Sequence, residues 1–394
     1  MSSGFGKGRD LGTVGWWQGG FPRGERSFVP RPFTVSFEGN IAVGKSTLMQ
    51  GVGTEWAGGP VGRVGEPMKK WQDVRSAAAS YRGTLTRMLG ISPLPGKVQE
   101  RKRPKRAKAP INALARYYSA PQAMAYPFQS LVFVTRLVEQ LKAGEKVVAD
   151  AKAAQEYAKV AQKKPKSGSH ARALHERPVL LVDRSVLSDR NVFVESMKGK
   201  GILSHEQVAI YEAWYEGMLM ATASRLVPDV LVYLRASPFT CMERLKARRR
   251  SEENAITPAL LKSLHGAHER WLLGQTRPVT WNKRGRESRQ VRGAWRAREN
   301  GPEVRRPMRK SGRCSVPQDC QVRRFDRALG CHPVLHGRPV LVFDANFKAK
   351  GKGGDRRNVV SQLRSGSFPR FFWAFINDLR RRSQKGRNGN IDIS

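Results

Sequence analysis

The run Phe33-Thr-Val-Ser-Phe-Glu-Gly-Asn-Ile-Ala-Val-Gly-Lys-Ser-Thr47 decides how the rest of the chain is read. A β-rich segment ends in Gly39, passes through Asn40, Ile41, Ala42 and Val43, and closes on Gly44, Lys45, Ser46 and Thr47, which is the spacing of a phosphate-binding loop. A strand over Thr34 to Glu38 delivers the chain to a loop in which Gly39 and Gly44 let backbone N–H groups turn inward around phosphate oxygens. A helix starting near Lys45 points its positive end at the same anion. Lys45 reaches the β- and γ-phosphates of a nucleotide, and the Ser46 hydroxyl ligates the Mg²⁺ that those phosphates carry. The loop specifies phosphate and leaves the reaction open.

Composition narrows the classes. The 394 residues allow two or three domains or one large α/β domain with insertions. Lys and Arg number 72 against 32 Asp and Glu, a formal charge of +40 that suits acidic partners such as nucleotides or nucleic acid. Four cysteines make no disulfide framework, and no apolar run of about 18 residues offers a membrane span. Residues 1–32, rich in Gly, Arg and Ser, lack the apolar core of a secretory signal and read as a disordered arm. A cytoplasmic chain is expected. Arg101 to Lys108 offers a nuclear-import alternative, and the acid-poor arm weakly permits mitochondrial import.

Along the chain, a short strand ends at Glu66-Pro67, which puts a carboxylate in the crevice beside the phosphate loop and makes Glu66 the candidate general base. Helices are expected over Asn112 to Tyr118 and over Phe128 to Leu141, with residues 142–176 extending the second before it breaks into a Lys/Ser/Gly loop. In the second, Leu131, Val134, Val138 and Leu141 share one face, and Gln129, Phe133 and Arg136 share another. The apolar run Arg177 to Asp183 predicts a buried parallel strand ending in Asp183, Arg184 and Ser185. Ser204 and Gln207 form a capping box for a helix through about Ala221. Another strand, Pro228 to Arg235, leads into a helix opened by Ser237-Pro238 that runs on through Arg244, Arg248 and Arg250 to Glu253, a cluster suited to gripping a phosphoryl group. The next helix, capped by Thr257, buries Leu261, Leu264, His268 and Leu272. A fifth strand ends in a polar turn holding Asp344, Asn346 and Phe347, and a last helix around Phe371 to Leu379 closes the domain.

Five strands alternating with helices predict an α/β fold with a five-stranded parallel sheet covered on both faces. This domain spans 33–380, interrupted by basic insertions at about 83–110, 149–176 and 275–337 that read as disordered, and 381–394 is a basic tail. Cys314, Cys320, Cys331 and His332 are spaced unlike standard zinc pairs, so free thiols are expected.

Several motifs taken together resemble the cellular-type deoxynucleoside kinases, the family of deoxycytidine, deoxyguanosine and mitochondrial thymidine kinases and their relatives in large DNA viruses. They are Glu38 to Thr47, Glu66 to Trp71, Phe128-Gln129, Asp183 to Arg190, and Tyr233 to Glu253. The resemblance covers roughly residues 33–82, 111–148, 177–274 and 338–380 and leaves out the arm and the basic insertions. It implies a P-loop kinase fold and transfer of the ATP γ-phosphate to a deoxynucleoside 5′-hydroxyl, on a homodimer with an arginine-bearing lid. By matching positions, Glu66 takes the hydroxyl proton and Arg184 holds Glu66 and the phosphoryl group. Asp183, where the family more often has Glu, joins Ser46 at Mg²⁺. Arg244, Arg248 and Arg250 form the lid, with Asp344, Asn346 and Phe347 beside the ATP. Tyr118 and Glu253 bind the sugar 3′-OH, while Gln129, Trp71, Phe128 and Phe193 hold the base.

Arg136 and Asp189 fall where deoxycytidine- and deoxyguanosine-type members keep an Arg–Asp pair. An arginine only donates, so it suits the acceptor N3 of cytosine or the N7 and O6 of guanine and clashes with thymine N3–H. A deoxycytidine or purine substrate is therefore expected over thymidine. Rival readings are a thymidine kinase of the same family, a nucleoside monophosphate or small-metabolite kinase, which needs an extra cationic pocket, and a kinase scaffold whose basic arms bind nucleic acid.

Overall fold

The computed structural model describes residues 31–55, 57–75, 81, 110–161, 177–250, 253–274, 320–324, 333–346 and 367–385. β1 (Phe33–Gly39) is buried along its whole length. Phe33, Val35 and Phe37 enter one apolar cluster, and by the two-residue period of a strand the equally buried Thr34, Ser36 and Glu38 face the other way. β1 lies between β3 (Val179–Asp183) and β4 (Val230–Arg235), both parallel to it. β2 (Val61–Val64) flanks β3, and a parallel strand at Pro339–Asp344 flanks β4. These are the five parallel strands expected from the sequence.

A further strand, β5 (Cys320–Arg324), joins the sheet antiparallel to Pro339–Asp344, here β6, with Cys320 opposite Phe343 and Arg324 opposite Pro339. The order is β2-β3-β1-β4-β6-β5. β5 corrects part of the expected disordered arm at 275–337. A short edge strand pairs through its backbone alone and needs no apolar alternation, so Cys-Gln-Val-Arg-Arg gives composition nothing to detect. Residues 275–319 and 325–332 lie outside the described residues. So do 1–30, 82–109, 162–176 and 386–394, and with them Arg101 to Lys108, Cys314, Cys331, His332 and Phe347.

The helices are α1 (Lys45–Gly51), α2 (Met68–Gln72), α3 (Ala113–Ser119), α4 (Pro121–Ala161), α5 (Val186–Ser188), α6 (Glu195–Lys198), α7 (His205–Leu226), α8 (Pro238–Arg248), α9 (Pro258–Leu273) and α10 (Ser367–Lys385). β4 alternates between two cores. Val230, Val232 and Leu234 pack with α1, α8 and α10 residues such as Leu48, Leu245 and Phe372. Leu231 and Tyr233 pack on the other side with α4 and α7 residues such as Phe133, Leu137 and Tyr215.

Several boundaries differ from expectation. α4 begins before Phe128 and passes through Pro127, and past Leu141 it runs on to Ala161, the extension expected of that helix. Within it Leu131 and Val134 are only half-buried, whereas Phe133 is fully buried against Trp214 and Tyr215. α7 runs past Ala221 to Leu226, with its capping box formed as expected: Ser204 Oγ accepts from Gln207 N and Gln207 Oε1 accepts from Ser204 N. α8 stops at Arg248 because Arg249 turns left-handed, φ 50°, which leaves Arg250 and Glu253 off the helix. α10 extends to Lys385, into the expected basic tail. Among the described residues, no helix is long and apolar enough to cross a membrane.

Candidate active site

The parallel strands end in a crevice where the chain diverges from β1 to its two neighbours, the place where such sheets bind ligands. Close packing against β4 requires glycine at position 39. Its φ is 138°, and a Cβ there would come within 2.5 Å of the Leu234 carbonyl. Gly44, φ 108°, and Ala42, φ 60°, complete the turn into α1. Asn40 braces the arch, its Oδ1 accepting from Ile41 N and its Nδ2 donating to Leu261 O on α9 at 2.8 Å.

Lys45 is buried, donates to Asn40 O and lies 3.9 Å from Asp183 Oδ1. Burial, reinforced by the Arg184 charge, lowers its pKa to about 8. Ser46, at the exposed mouth of the loop, donates through Oγ to Asp183 Oδ2 at 2.6 Å. Asp183 Oδ1 is buried and accepts no hydrogen bond among the described residues. An oxygen left without a donor, next to a hydroxyl and the phosphate loop, is a donor set that fits a hard divalent cation.

Arg184 follows Asp183 in a left-handed conformation, φ 67°, an expensive state for a non-glycine residue and one that clusters at functional sites. Three contacts hold that backbone: Arg184 N donates to Phe37 O, Arg184 O accepts from Gln140, and the next residue, Ser185, donates through N and Oγ to Glu38. The Arg184 side chain is 1% exposed. Its Nε donates to Glu66 Oε1 at 2.8 Å, its guanidinium lies 5.0 Å from the Phe193 ring centre, and its Nη1 faces His268 Nε2 at 3.5 Å. Arg136 approaches the same Glu66 oxygen at 3.8 Å. Burial pushes the Glu66 carboxyl up, but Arg184, Lys45 and Arg136 together outweigh it and hold the pKa at about 2.

Arg136 also donates to Asp189 Oδ2 at 3.1 Å and to the Asp183 carbonyl. Burial drives the Asp189 carboxyl up to about 6 against the pull of Arg136. Asp189 opens a π-helical turn, Asp189–Val194, between α5 and α6. The wider turn sets Asp189 inward on Arg136 and Phe193 over Arg184, as π turns often do at working sites.

Trp71 lies 5.7 Å from the Arg136 guanidinium and meets Phe128 edge-on, and Phe128 stacks on Tyr117 at 4.9 Å. Gln129 is buried, and its Oε1 has no hydrogen-bond partner among the described residues. Tyr118, half-buried, has its phenol raised by burial, by Tyr117 and by the Glu253 and Glu66 carboxylates.

The predicted lid arginines separate into two groups. Arg244 donates to the Val43 carbonyl of the phosphate loop at 2.7 Å and to the Ala345 carbonyl beyond β6 at 2.8 Å. Arg248 forms a two-pronged pair with Glu253, and Arg250 lies 3.7 Å from the same carboxylate. Glu253 is thus held by Arg248 and Arg250, an engagement that spacing did not suggest. Asp344 is exposed and accepts from Asn346, whose Oδ1 accepts from Ser237 N at the start of α8.

Sequence reading missed Glu38, Gln140 and His268 as parts of the site. Glu38 Oε1 gathers Ser36 Oγ, Ser185 N and Ser185 Oγ and so fixes the turn that presents Arg184. Its signal was the alternation of Thr34, Ser36 and Glu38 inside a buried strand.

A family model for deoxynucleoside kinases matches residues 35–287, from β1 through α8 and α9. The chain belongs to the deoxynucleoside kinase family. Among curated relatives, deoxycytidine kinase 2 of Gallus gallus is 31% identical over 258 residues, covering 65% of this chain and 79% of that one. The mitochondrial deoxyguanosine kinase of Xenopus laevis is 28% identical over 251 residues, 63% and 76% of the two chains. The mitochondrial thymidine kinase 2 of Homo sapiens is 36% identical over 103 residues, 25% and 38% of the two. As a deoxynucleoside kinase, the chain is a phosphotransferase that uses a nucleotide phosphate donor.

Proposed function

We propose that this kinase transfers the γ-phosphate of ATP to the 5′-hydroxyl of a deoxynucleoside, with deoxycytidine or a purine deoxynucleoside preferred over thymidine. The observation that carries the reading is the Glu66–Arg184 pair, set 2.8 Å apart beside Lys45 and the phosphate loop.

Phosphoryl transfer proceeds through a loose transition state, so the protein contributes alignment and charge more than covalent chemistry. Glu66 accepts the proton of the 5′-hydroxyl. A carboxylate held near a pKa of 2 is a weak base, but it is ionised at any working pH, and in a loose transition state the proton leaves late. Arg184 keeps Nε on Glu66 and Nη1 toward His268 and offers Nη2 to the transferring group, while Lys45 holds the β- and γ-phosphates. Ser46 and Asp183 would hold Mg²⁺, which supplies neutralisation of phosphate charge. Arg248 and Arg250 close over the donor, and Arg244, already on the loop, anchors the lid at Asp344 and Asn346. Tyr118 and Glu253 take the sugar, Trp71, Phe128 and Phe193 wall the base, and Gln129 offers its buried amide to the base edge.

The preference rests on Arg136 and Asp189, a buried ion pair next to Trp71 whose arginine can only donate. A homodimer is supported by α7, where Ile210 and Met220 are 56% and 58% exposed and the exposed Ala213 and Gly217 lie between them at helical spacing. The charge of +40 favours an added, sequence-independent contact with nucleic acid through the basic segments. Its test is DNA affinity that falls steeply with salt and is unchanged in Glu66→Gln; affinity indifferent to salt overturns it.

The kinase reading is tested by Mg·ATP-dependent phosphate transfer to deoxycytidine with deoxycytidine monophosphate as the control acceptor. Product from the nucleoside and none from the monophosphate is the expected result; the reverse turns the protein into a monophosphate kinase.

A further inference from the structure

We infer that His268 is a positioning residue for phosphoryl transfer, its Nε2 lone pair accepting from Arg184 Nη1 and fixing the guanidinium that holds Glu66. The inference rests on the kinase reading, in which Arg184 acts at the transfer step.

The tautomer follows from the contacts. His268 Nδ1 lies 2.7 Å from Leu264 O. A carbonyl oxygen only accepts, so Nδ1 carries the proton, and the neutral ring is left with an acceptor at Nε2. That acceptor is 3.5 Å from Arg184 Nη1. Burial, with the charges of Arg184 and Lys45, keeps the imidazole neutral and therefore able to accept.

The ring itself cannot turn freely. It lies parallel to Tyr233, 5.8 Å between centres and 5° between planes. Tyr233 in turn donates to Glu269 Oε1 at 2.6 Å, and Arg235 pairs with the same carboxylate through Nε and Nη2. Both Tyr233 and Arg235 belong to β4, so His268 and Glu269, adjacent on α9, are registered against the sheet. Leu261, on the same helix, takes the Asn40 side chain of the phosphate loop. α9 thus carries one hydrogen bond to the phosphate loop and one to the guanidinium beside the general base.

Without the Nε2 acceptor, Arg184 would remain tied at Nε to Glu66 and stacked on Phe193, but the outer nitrogens could rotate away from the phosphoryl path. A guanidinium fixed at both ends aligns the transition state, whereas one fixed at a single end still binds substrates.

The test compares three full-length variants with wild type. His268→Asn keeps an N–H for Leu264 O and falls short of Arg184. His268→Phe keeps a flat ring and removes both nitrogens. His268→Gln presents an amide oxygen where Nε2 stood. We expect kcat to fall about 10- to 100-fold in Asn and Phe, with KM for the nucleoside and affinity for ATP changed less than about threefold, and Gln to recover to within about fivefold of wild type. A merely structural role would lower the melting temperature without this kcat-against-KM split and without rescue by Gln. A folded Asn or Phe variant with wild-type kcat overturns the inference, and so does a Gln variant no better than Asn. If the Phe chain does not fold, the Asn–Gln comparison decides. Wild-type protein that phosphorylates no deoxynucleoside overturns the kinase reading itself, a distinct result.

Discussion

Arg184 Nε donates to Glu66 Oε1 at 2.8 Å, joining the end of β3 to the turn after β2 across 118 residues of sequence. The bond gives the carboxylate a fixed aim and a fixed charge. Glu66→Gln keeps the shape and removes the proposed base. Turnover should fall by about 10²- to 10⁴-fold while the donor nucleotide binds as before. Steady-state rates set beside nucleotide-binding titrations decide it, and retained turnover removes Glu66 as the base.

The same carboxylate should leave a signature in stability. The Glu66 pKa is depressed from 4.5 to about 2, so its contribution is fully present above pH 4.5 and is lost as pH falls toward 2. Glu66→Gln should therefore melt below wild type at pH 7, with the gap closing between pH 4.5 and 2. A gap that does not change with pH would mean the carboxylate charge is not what the three cations stabilise.

Base choice should follow the Arg136–Asp189 pair. Removing one partner strands a buried charge, so both are replaced together, Arg136→Met with Asp189→Ala. The ratio of kcat/KM for thymidine over deoxycytidine should rise about tenfold or more. An unchanged ratio would assign specificity elsewhere, with Gln129 the next candidate.

The exposed stripe of α7 predicts the assembly. Ile210→Glu with Met220→Glu should convert a dimer into a monomer by light scattering, with the isolated fold intact by circular dichroism. A wild-type protein that is already monomeric would contradict the proposal.

The parts of the site written as local motifs were legible in the sequence. Gly39 to Thr47 and Asp183 to Ser185 each need particular residue types at fixed spacing, and each stands where that spacing placed it. Parallel strands were legible for a related reason, since burial on both faces leaves continuous apolar runs at Val179 to Val182 and Val230 to Leu234.

What the sequence hid depends on distant partners. Arg244 and Arg248 are four residues apart on one helix, yet Arg244 turns to Val43 O, 201 residues away, and Arg248 to Glu253 just past the helix end. The π turn at Asp189 is a small change in winding with no compositional mark. His268 looks like any buried helix position until Arg184 is seen beside it, and β5 is recognisable only by its pairing with β6.

The most direct measurement is Mg·ATP-dependent phosphorylation of deoxycytidine, deoxyadenosine, deoxyguanosine and thymidine side by side, wild type against Glu66→Gln. Transfer to the 5′-hydroxyl of deoxycytidine or a purine deoxynucleoside ahead of thymidine is expected, abolished in the variant. Thymidine ranking first would contradict the role given to Arg136 and Asp189, and no transfer to any of the four by a protein that binds ATP would contradict the account as a whole.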